Sequence, residues 1–147
     1  MAADREWARR THETRRLVGI DNVRWRPILA LSADWQTRAL LAAQIGETTG
    51  REVVPAPAVN EALALIRMAG IDPALVIVDA GQQVTREEVE RLMDALPDAP
   101  LVLSVSALRR TEFDPLRSRC AAYLVRPVSI GRIAQAAAQI LQQQSRP

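Results

Sequence analysis

Two charged residues close two apolar segments of the chain and are its first candidates for chemistry. Asp79 ends the run 73–79, which is otherwise apolar and rich in β-branched residues, and Arg126 ends a similar run at 121–126. Runs of this kind are typical of buried parallel strands, and open α/β sheets bind ligands outside the carboxyl ends of such strands. The two residues therefore predict a site with one acid and one base at this edge of a sheet.

Alternating strand and helix patterns must position these residues. The strand patterns cover Pro27–Ser32, Glu52–Ala56, Pro73–Asp79, Leu101–Ser106 and Ala121–Val125. The helix patterns cover Trp35–Ile45, Asn60–Ala69, the segment after Thr85, Thr111–Arg119 and the segment after Ser129. This alternation predicts an α/β domain, with a parallel sheet of five strands and helices on both faces. Pro55 places the second strand at an edge, because proline has no backbone N–H to donate to a neighbouring strand.

Polar residues and glycines set the predicted helix boundaries. Thr85 and Glu88 have the spacing of a capping box, in which each side chain binds the other residue's backbone amide. Asn60 and Ser129 are expected to cap the helices that follow them. Gly46 is expected to end the first helix, since glycine adopts the left-handed conformation that often follows a helix.

The composition excludes several classes of protein. No apolar run approaches the length of a membrane span, and no signal-peptide pattern opens the chain. The single cysteine, Cys120, rules out an internal disulfide and suits a reducing compartment, so we expect a cytoplasmic protein. With His12 as the only histidine, a His/Cys zinc site within one chain is not expected.

The charge divides the chain into a basic N-terminal extension, residues 1–26, and a nearly neutral body, residues 27–142, followed by a tail, 143–147, that is expected to fray. Residues 1–27 hold seven arginines against four acids, a net charge of +3, whereas 28–147 have a net charge of −1. Arginines interleaved with Trp7 and Trp25 can bind nucleic acid. Such an extension is more typically packed on its own domain or on a partner, so nucleic acid is not the expected partner.

The phrase Ala122-Tyr123-Leu124-Val125-Arg126-Pro127 covers the fifth predicted strand and has an aromatic residue followed by a cation and a proline. With this phrase, residues 27–142 resemble the receiver domain of bacterial two-component response regulators, whose fifth-strand signature has an aromatic residue before a Lys-Pro pair. Asp79 stands where the family has its phosphoacceptor aspartate. Ser106 and Ala107 are similar to the Thr/Ser-Ala pair that ends the fourth strand, although Ser104 fits almost as well by spacing.

The resemblance implies a flavodoxin-like fold with strand order 2-1-3-4-5, and the transfer of a phosphoryl group to an aspartate. Asp79 would attack a phosphodonor, and Ser106 and Arg126 would hold the phosphoryl group. Magnesium is the cofactor implied, because a divalent cation must screen the approach of two anions. Its candidate ligands are Asp34, Asp79 and the carbonyl of Gly81, since magnesium prefers oxygen ligands in octahedral geometry.

The chain departs from the family where the metal should bind. Ser32 and Ala33 stand at the positions of the family's acid pair, and Asp34 follows one residue later, where it can instead cap the next helix. Arg126 replaces the lysine, and its planar guanidinium changes the contact geometry. We therefore expect an atypical, non-enzymatic receiver in which Asp79 pairs with Arg126, with a phosphorylatable receiver as the alternative.

A surface of the body carries the candidate partner contacts. Tyr123 stands at the family's switch aromatic, or is simply a half-buried strand tyrosine. Four arginines could pair across a symmetric dimer interface near the last two helices, or form a solvated helix face: Arg109, Arg110, Arg117 and Arg119. The resemblance implies a histidine kinase or an output protein as partner.

Overall fold

The computed structural model of the chain describes residues 25–145, so the predicted extension lies outside the described residues except for its last two positions. A parallel sheet has the order β2-β1-β3-β4-β5, as predicted. Its strands are β1 (Ile28–Ser32), β2 (Val53–Ala56), β3 (Leu75–Ala80), β4 (Leu101–Ser106) and β5 (Ala122–Arg126). The helices are α1 (Trp35–Thr49), α2 (Val59–Ala69), α3 (Arg86–Ala95), α4 (Arg110–Phe113) and α5 (Ile130–Gln144). Short 3-10 segments, Ala107–Arg109 and Asp114–Arg119, flank α4.

Two apolar cores cover the two faces of the sheet. Helices α1 and α5 pack on one face, where Leu75 and Ile77 of β3 point. Helices α2, α3 and α4 pack on the other, with Val76 and Val78. Because side chains alternate along a strand, Asp79 continues the row of Leu75 and Ile77 and emerges on the α1–α5 side.

The predicted end of α1 at Gly46 is wrong. The helix continues to Thr49 and ends at Gly50, whose φ of 68° is left-handed and whose amide donates to the Gly46 carbonyl. Two glycines four residues apart were both able to end the helix. Leu41 and Ile45 pack in the core. This packing stabilises the helix through Gly46, because most of the stability of a helix in a protein comes from tertiary packing.

The predicted cap at Asn60 is also wrong, whereas two other caps are confirmed. Helix α2 begins at Val59 after Ala58, and no side chain caps it. The Asn60 oxygen instead accepts from Arg91 of α3 at 3.1 Å. Thr85 forms both bonds of its capping box with Glu88, and Ser129 accepts from the Arg132 amide at the start of α5.

Residues just outside the predicted body, 27–142, contact it at both ends. Trp25 is buried, its indole N–H donates to the Glu52 carboxylate, and its carbonyl accepts from the Asp72 amide. At the other end α5 runs through Gln144, whose side chain donates to the Ala74 carbonyl. Within residues 25–145, no helix is long and apolar enough to cross a membrane.

Candidate functional site

Three polar residues form a buried row across the carboxyl ends of the central strands. Ser32 of β1 pairs in register with Asp79 of β3, which pairs with Ser104 of β4. Paired residues of parallel strands point to the same side of the sheet, so a serine flanks the carboxylate on each side. Both serines are fully buried and Asp79 is 7% exposed. The sequence predicted Asp79 at this edge, and the structure adds the two hydroxyls beside it.

The Asp79 carboxylate is held by a hydroxyl and a guanidinium. Its Oδ2 accepts from Ser32 Oγ at 2.9 Å, and its Oδ1 lies 3.4 Å from Arg126 Nη1. Arg126 belongs to β5, so its side chain reaches past β4 to meet Asp79, and its Nη2 donates to the Ala80 carbonyl at 2.7 Å. The structure thus brings together the acid and the base that the sequence placed at this edge.

Two polar atoms beside this pair are buried without a hydrogen-bond partner among the described residues: Ser104 Oγ and Arg126 Nε. A buried hydroxyl that makes no hydrogen bond costs about 1–3 kcal/mol relative to its hydrated state. The row is therefore asymmetric, because the Ser32 hydroxyl binds the carboxylate, whereas the Ser104 hydroxyl binds no atom of residues 25–145.

The residues proposed as magnesium ligands do not converge. Asp34 is exposed and caps α1, where its Oδ2 accepts from the Thr37 amide at 2.9 Å and from the Thr37 hydroxyl at 2.7 Å. These two bonds, and to a smaller extent the charge of Arg38, hold the pKa of the Asp34 carboxyl below its usual value. The Gly81 carbonyl accepts from Val84 and from Arg109. Asp34 therefore serves the helix terminus, its alternative role in the sequence analysis.

Asp79 is left as the one carboxylate of the buried row, and it already binds Ser32 and Arg126. Between residues 25 and 145, no group of three or more His, Cys, Asp or Glu side chains is placed to hold a metal ion. Magnesium requires several oxygen ligands in near-octahedral geometry, and the donors at this edge do not fit it.

Arginine side chains donate hydrogen bonds to the backbone carbonyls where these strands end. Arg38 Nη1 donates to the Ser32 carbonyl at 2.9 Å at the end of β1. Arg126 donates to Ala80 at the end of β3, and Arg109 donates to Gly81 just after it. Arg126 also pairs with the buried Asp79 carboxylate, whereas Arg38 and Arg109 bind the neighbouring backbone carbonyls. Arg38 was not among the predicted site residues, since only the fold reveals that its helix brings it back to the strand end.

The side chain of Arg109, for which a place in a partner interface was predicted, faces inward, and its contact with a partner stays a prediction. Its side chain is 18% exposed, and its Nη2 donates to the Val84 carbonyl at 2.6 Å. The guanidinium also pairs with Glu112 and lies 4.9 Å from the centre of the Phe113 ring. The spacing of Arg109 and Glu112, three residues apart, is the signal that could have indicated a local pair.

The other predicted interface arginines lie at the surface. Arg119 pairs with Asp94 of α3 at 2.9 Å, and Arg117 stacks over Tyr123 with its guanidinium carbon 5.5 Å from the ring centre. Arg110 is exposed on the first turn of α4. Next to it, Leu108 is 96% exposed. Their contact with a partner stays a prediction.

The two residues predicted to respond to the phosphoryl group are engaged elsewhere. Ser106 is in register with Arg126, but its Oγ accepts from the Leu108 amide and closes the turn after β4. The Tyr123 hydroxyl donates to Asp114 at 2.9 Å. Burial, and then this bond and the charge of Asp114, raise the pKa of Tyr123 to about 12. The tyrosine is half-buried, as its alternative description expected, and its role as a switch stays a prediction.

The sequence matches no protein-family model and no curated protein sequence. Solved structures do match the fold. A response regulator receiver domain from Clostridium thermocellum is 15% identical, with a TM-score of 0.66 over 81% of this chain and 96% of the other. The receiver domain of NtrX from Brucella abortus is 21% identical, with a TM-score of 0.64 over 78% and 98%.

A structure described as an adenylate cyclase from Rhodopirellula baltica also matches, at 16% identity and a TM-score of 0.67 over 82% of this chain and 93% of the other. Identities this low carry the fold and not the activity. The chain therefore has the flavodoxin-like fold of response regulator receiver domains.

Proposed function

We propose that this chain is a receiver-like module of two-component signalling that acts through protein contacts, without catalysis and without phosphorylation of Asp79. The receiver fold and the receiver domains among its structural neighbours support the signalling part of the proposal. One observation carries the rest: the Asp79 carboxylate is bonded to Ser32 and paired with Arg126 in a buried row that has no other acid.

Charge is the physical reason that this observation argues against phosphoryl transfer. A carboxylate that attacks a phosphodonor gains from a divalent cation bound between the two anions. Here Ser32 and Ala33 replace carboxylates with a hydroxyl and a methyl group, and arginines bind the neighbouring carbonyls. A guanidinium neutralises Asp79 but also lowers its nucleophilicity, because the ion pair stabilises the carboxylate in its resting state.

The partner surface in this proposal lies along α4, β5 and α5. Leu108 projects into solvent next to Arg110, and Arg117 covers Tyr123. An exposed leucine beside exposed arginines suits a partner that offers an apolar contact with acidic groups around it. A histidine kinase, an output protein or a second copy of the chain are the candidate partners.

Intact mass after incubation with a small-molecule phosphodonor and magnesium tests the proposal. We expect no phosphoryl adduct on this chain, while a receiver domain with an intact acid pair becomes labelled in the same reaction. An adduct on this chain that disappears in Asp79→Asn would refute the phosphorylation-independent function.

Magnesium titration gives a second and independent measure. We expect no change in the melting temperature of the chain when magnesium is added, because the donors do not form an octahedral set. A stabilisation that grows with magnesium concentration and is absent in Asp79→Asn would contradict this expectation.

A further inference from the structure

Every nitrogen of the Arg109 guanidinium donates a hydrogen bond, although the residue lies in a surface turn. Nε and Nη2 donate to the Glu112 carboxylate at 3.0 and 2.9 Å. Nη2 also donates to the Val84 carbonyl at 2.6 Å, and Nη1 donates to the Gly81 carbonyl. The guanidinium lies over Phe113, which is fully buried. With this many hydrogen bonds, the Arg109 guanidinium differs from that of an ordinary surface ion pair, because it connects several parts of the fold.

These bonds join two segments that meet at the carboxyl edge of the sheet. Gly81 and Val84 belong to the loop that connects β3, and hence Asp79, to α3. The loop folds on itself through a bond from the Val84 amide to the Gly81 carbonyl at 3.1 Å, the same oxygen that Arg109 reaches. Arg109 itself immediately precedes α4, so it connects the loop after Asp79 to the proposed partner surface.

We propose that Arg109 is the chain's own cation for the β3–α3 loop, and that it couples this loop to the start of α4. The guanidinium donates hydrogen bonds to the Gly81 and Val84 carbonyls from within the chain, at the edge where the donors do not fit magnesium. The inference deepens the proposed function by explaining how the surface around Leu108 is held in one arrangement without a phosphoryl group.

The matched variants are Arg109→Ala and Arg110→Ala, which remove the same side chain from neighbouring positions. Arg110 is exposed, and within residues 25–145 no hydrogen bond joins its side chain to the loop, so its loss should leave the loop unchanged. Amide hydrogen exchange of Val84 is the measurement, because its N–H donates to the carbonyl that Arg109 holds. Removing hydrogen bonds from a charged donor should accelerate this exchange about tenfold in Arg109→Ala.

The exchange at Val84 is compared with that at the central strand amides of β3, which report global opening. The inference stands if Val84 accelerates at least about threefold more than these amides in Arg109→Ala, and not in Arg110→Ala. It is overturned if Val84 changes no more than the strands do, or if both variants have the same effect.

If Arg109→Ala does not fold, Glu112→Gln decides by the same criterion. This change keeps the size of the side chain but removes the charge that orients Arg109 from α4. Asp114→Asn is its control, because Asp114 bonds Tyr123 and not Arg109. The exchange experiment needs no phosphodonor, so its failure is distinct from that of the proposed function, which a phosphoryl adduct on Asp79 would refute.

Discussion

Ser32 and Ser104 flank the same buried carboxylate and offer a matched test of the site, because one change has opposite expected effects at the two positions. Ser32 Oγ donates to Asp79 at 2.9 Å, whereas Ser104 Oγ has no hydrogen-bond partner within the described part of the chain. Both side chains are fully buried, so Ser→Ala removes one oxygen from an equally buried position in each case.

The expected magnitudes follow from these contacts. Ser32→Ala removes a hydrogen bond to a charged group and should lower the free energy of unfolding by about 2 kcal/mol. Ser104→Ala removes a hydroxyl that is desolvated without compensation and should raise this free energy by about 1 kcal/mol. At about 3–4 °C per kcal/mol for a domain of this size, the two variants should melt about 10 °C apart.

Urea unfolding of the two single variants and of the parent chain measures these changes, provided that the slope of the transition stays constant. A third comparison isolates the contact. In an Asp79→Ala background the cost of Ser32→Ala should shrink, since its partner is gone. If Ser104→Ala destabilises the chain as much as Ser32→Ala does, Ser104 has a partner such as a buried water, and the description of the row as asymmetric is wrong.

Two further predictions concern Tyr123 and the exposed arginines near it. Tyr123 is the only tyrosine, so the ultraviolet titration of the chain should show a single midpoint near 12. Because folding raises this pKa, the neutral phenol should stabilise the chain fully below pH 10, and this stabilisation should be lost as the pH rises through 12. In Asp114→Asn the midpoint should fall but stay above 10, because burial is the larger cause; an unchanged midpoint would argue against the hydrogen bond. If the chain dimerises through this surface, Arg110→Glu with Arg117→Glu should weaken the dimer in light scattering, whereas Arg67→Glu on α2 should not. A dimer that persists in the double variant would exclude these arginines from the interface.

The architecture could be predicted from the sequence alone, because the periodicity of apolar residues and the positions of turn residues are local properties. Five apolar runs separated by helical patterns indicated a parallel sheet, and Pro55 indicated that β2 lies at its edge. The same local reasoning could not choose between Gly46 and Gly50 as the end of α1. That choice depends on how much of the helix the sheet requires for packing.

Of the candidate site, only the two charged residues at strand ends could be predicted from the sequence. Asp79 and Arg126 could be read from strand ends, since parallel strands end at one edge of a sheet. The partners of each side chain depend on which elements lie beside it after folding. Arg109 could be placed inside the domain only by the tertiary structure, because its turn packs against a loop 25 residues earlier in the chain.

Asp79 shows the same division between sequence and structure. Its type, and the absence of acids at Ser32 and Ala33, are properties of the sequence and predict an atypical receiver. The register of the strands places Ser32 and Ser104 on either side of it, and the packing of a helix and a turn brings Arg38 and Arg109 to the carbonyls nearby. Register brings together residues far apart along the chain, and the electrostatics of a buried carboxylate depend on those neighbours.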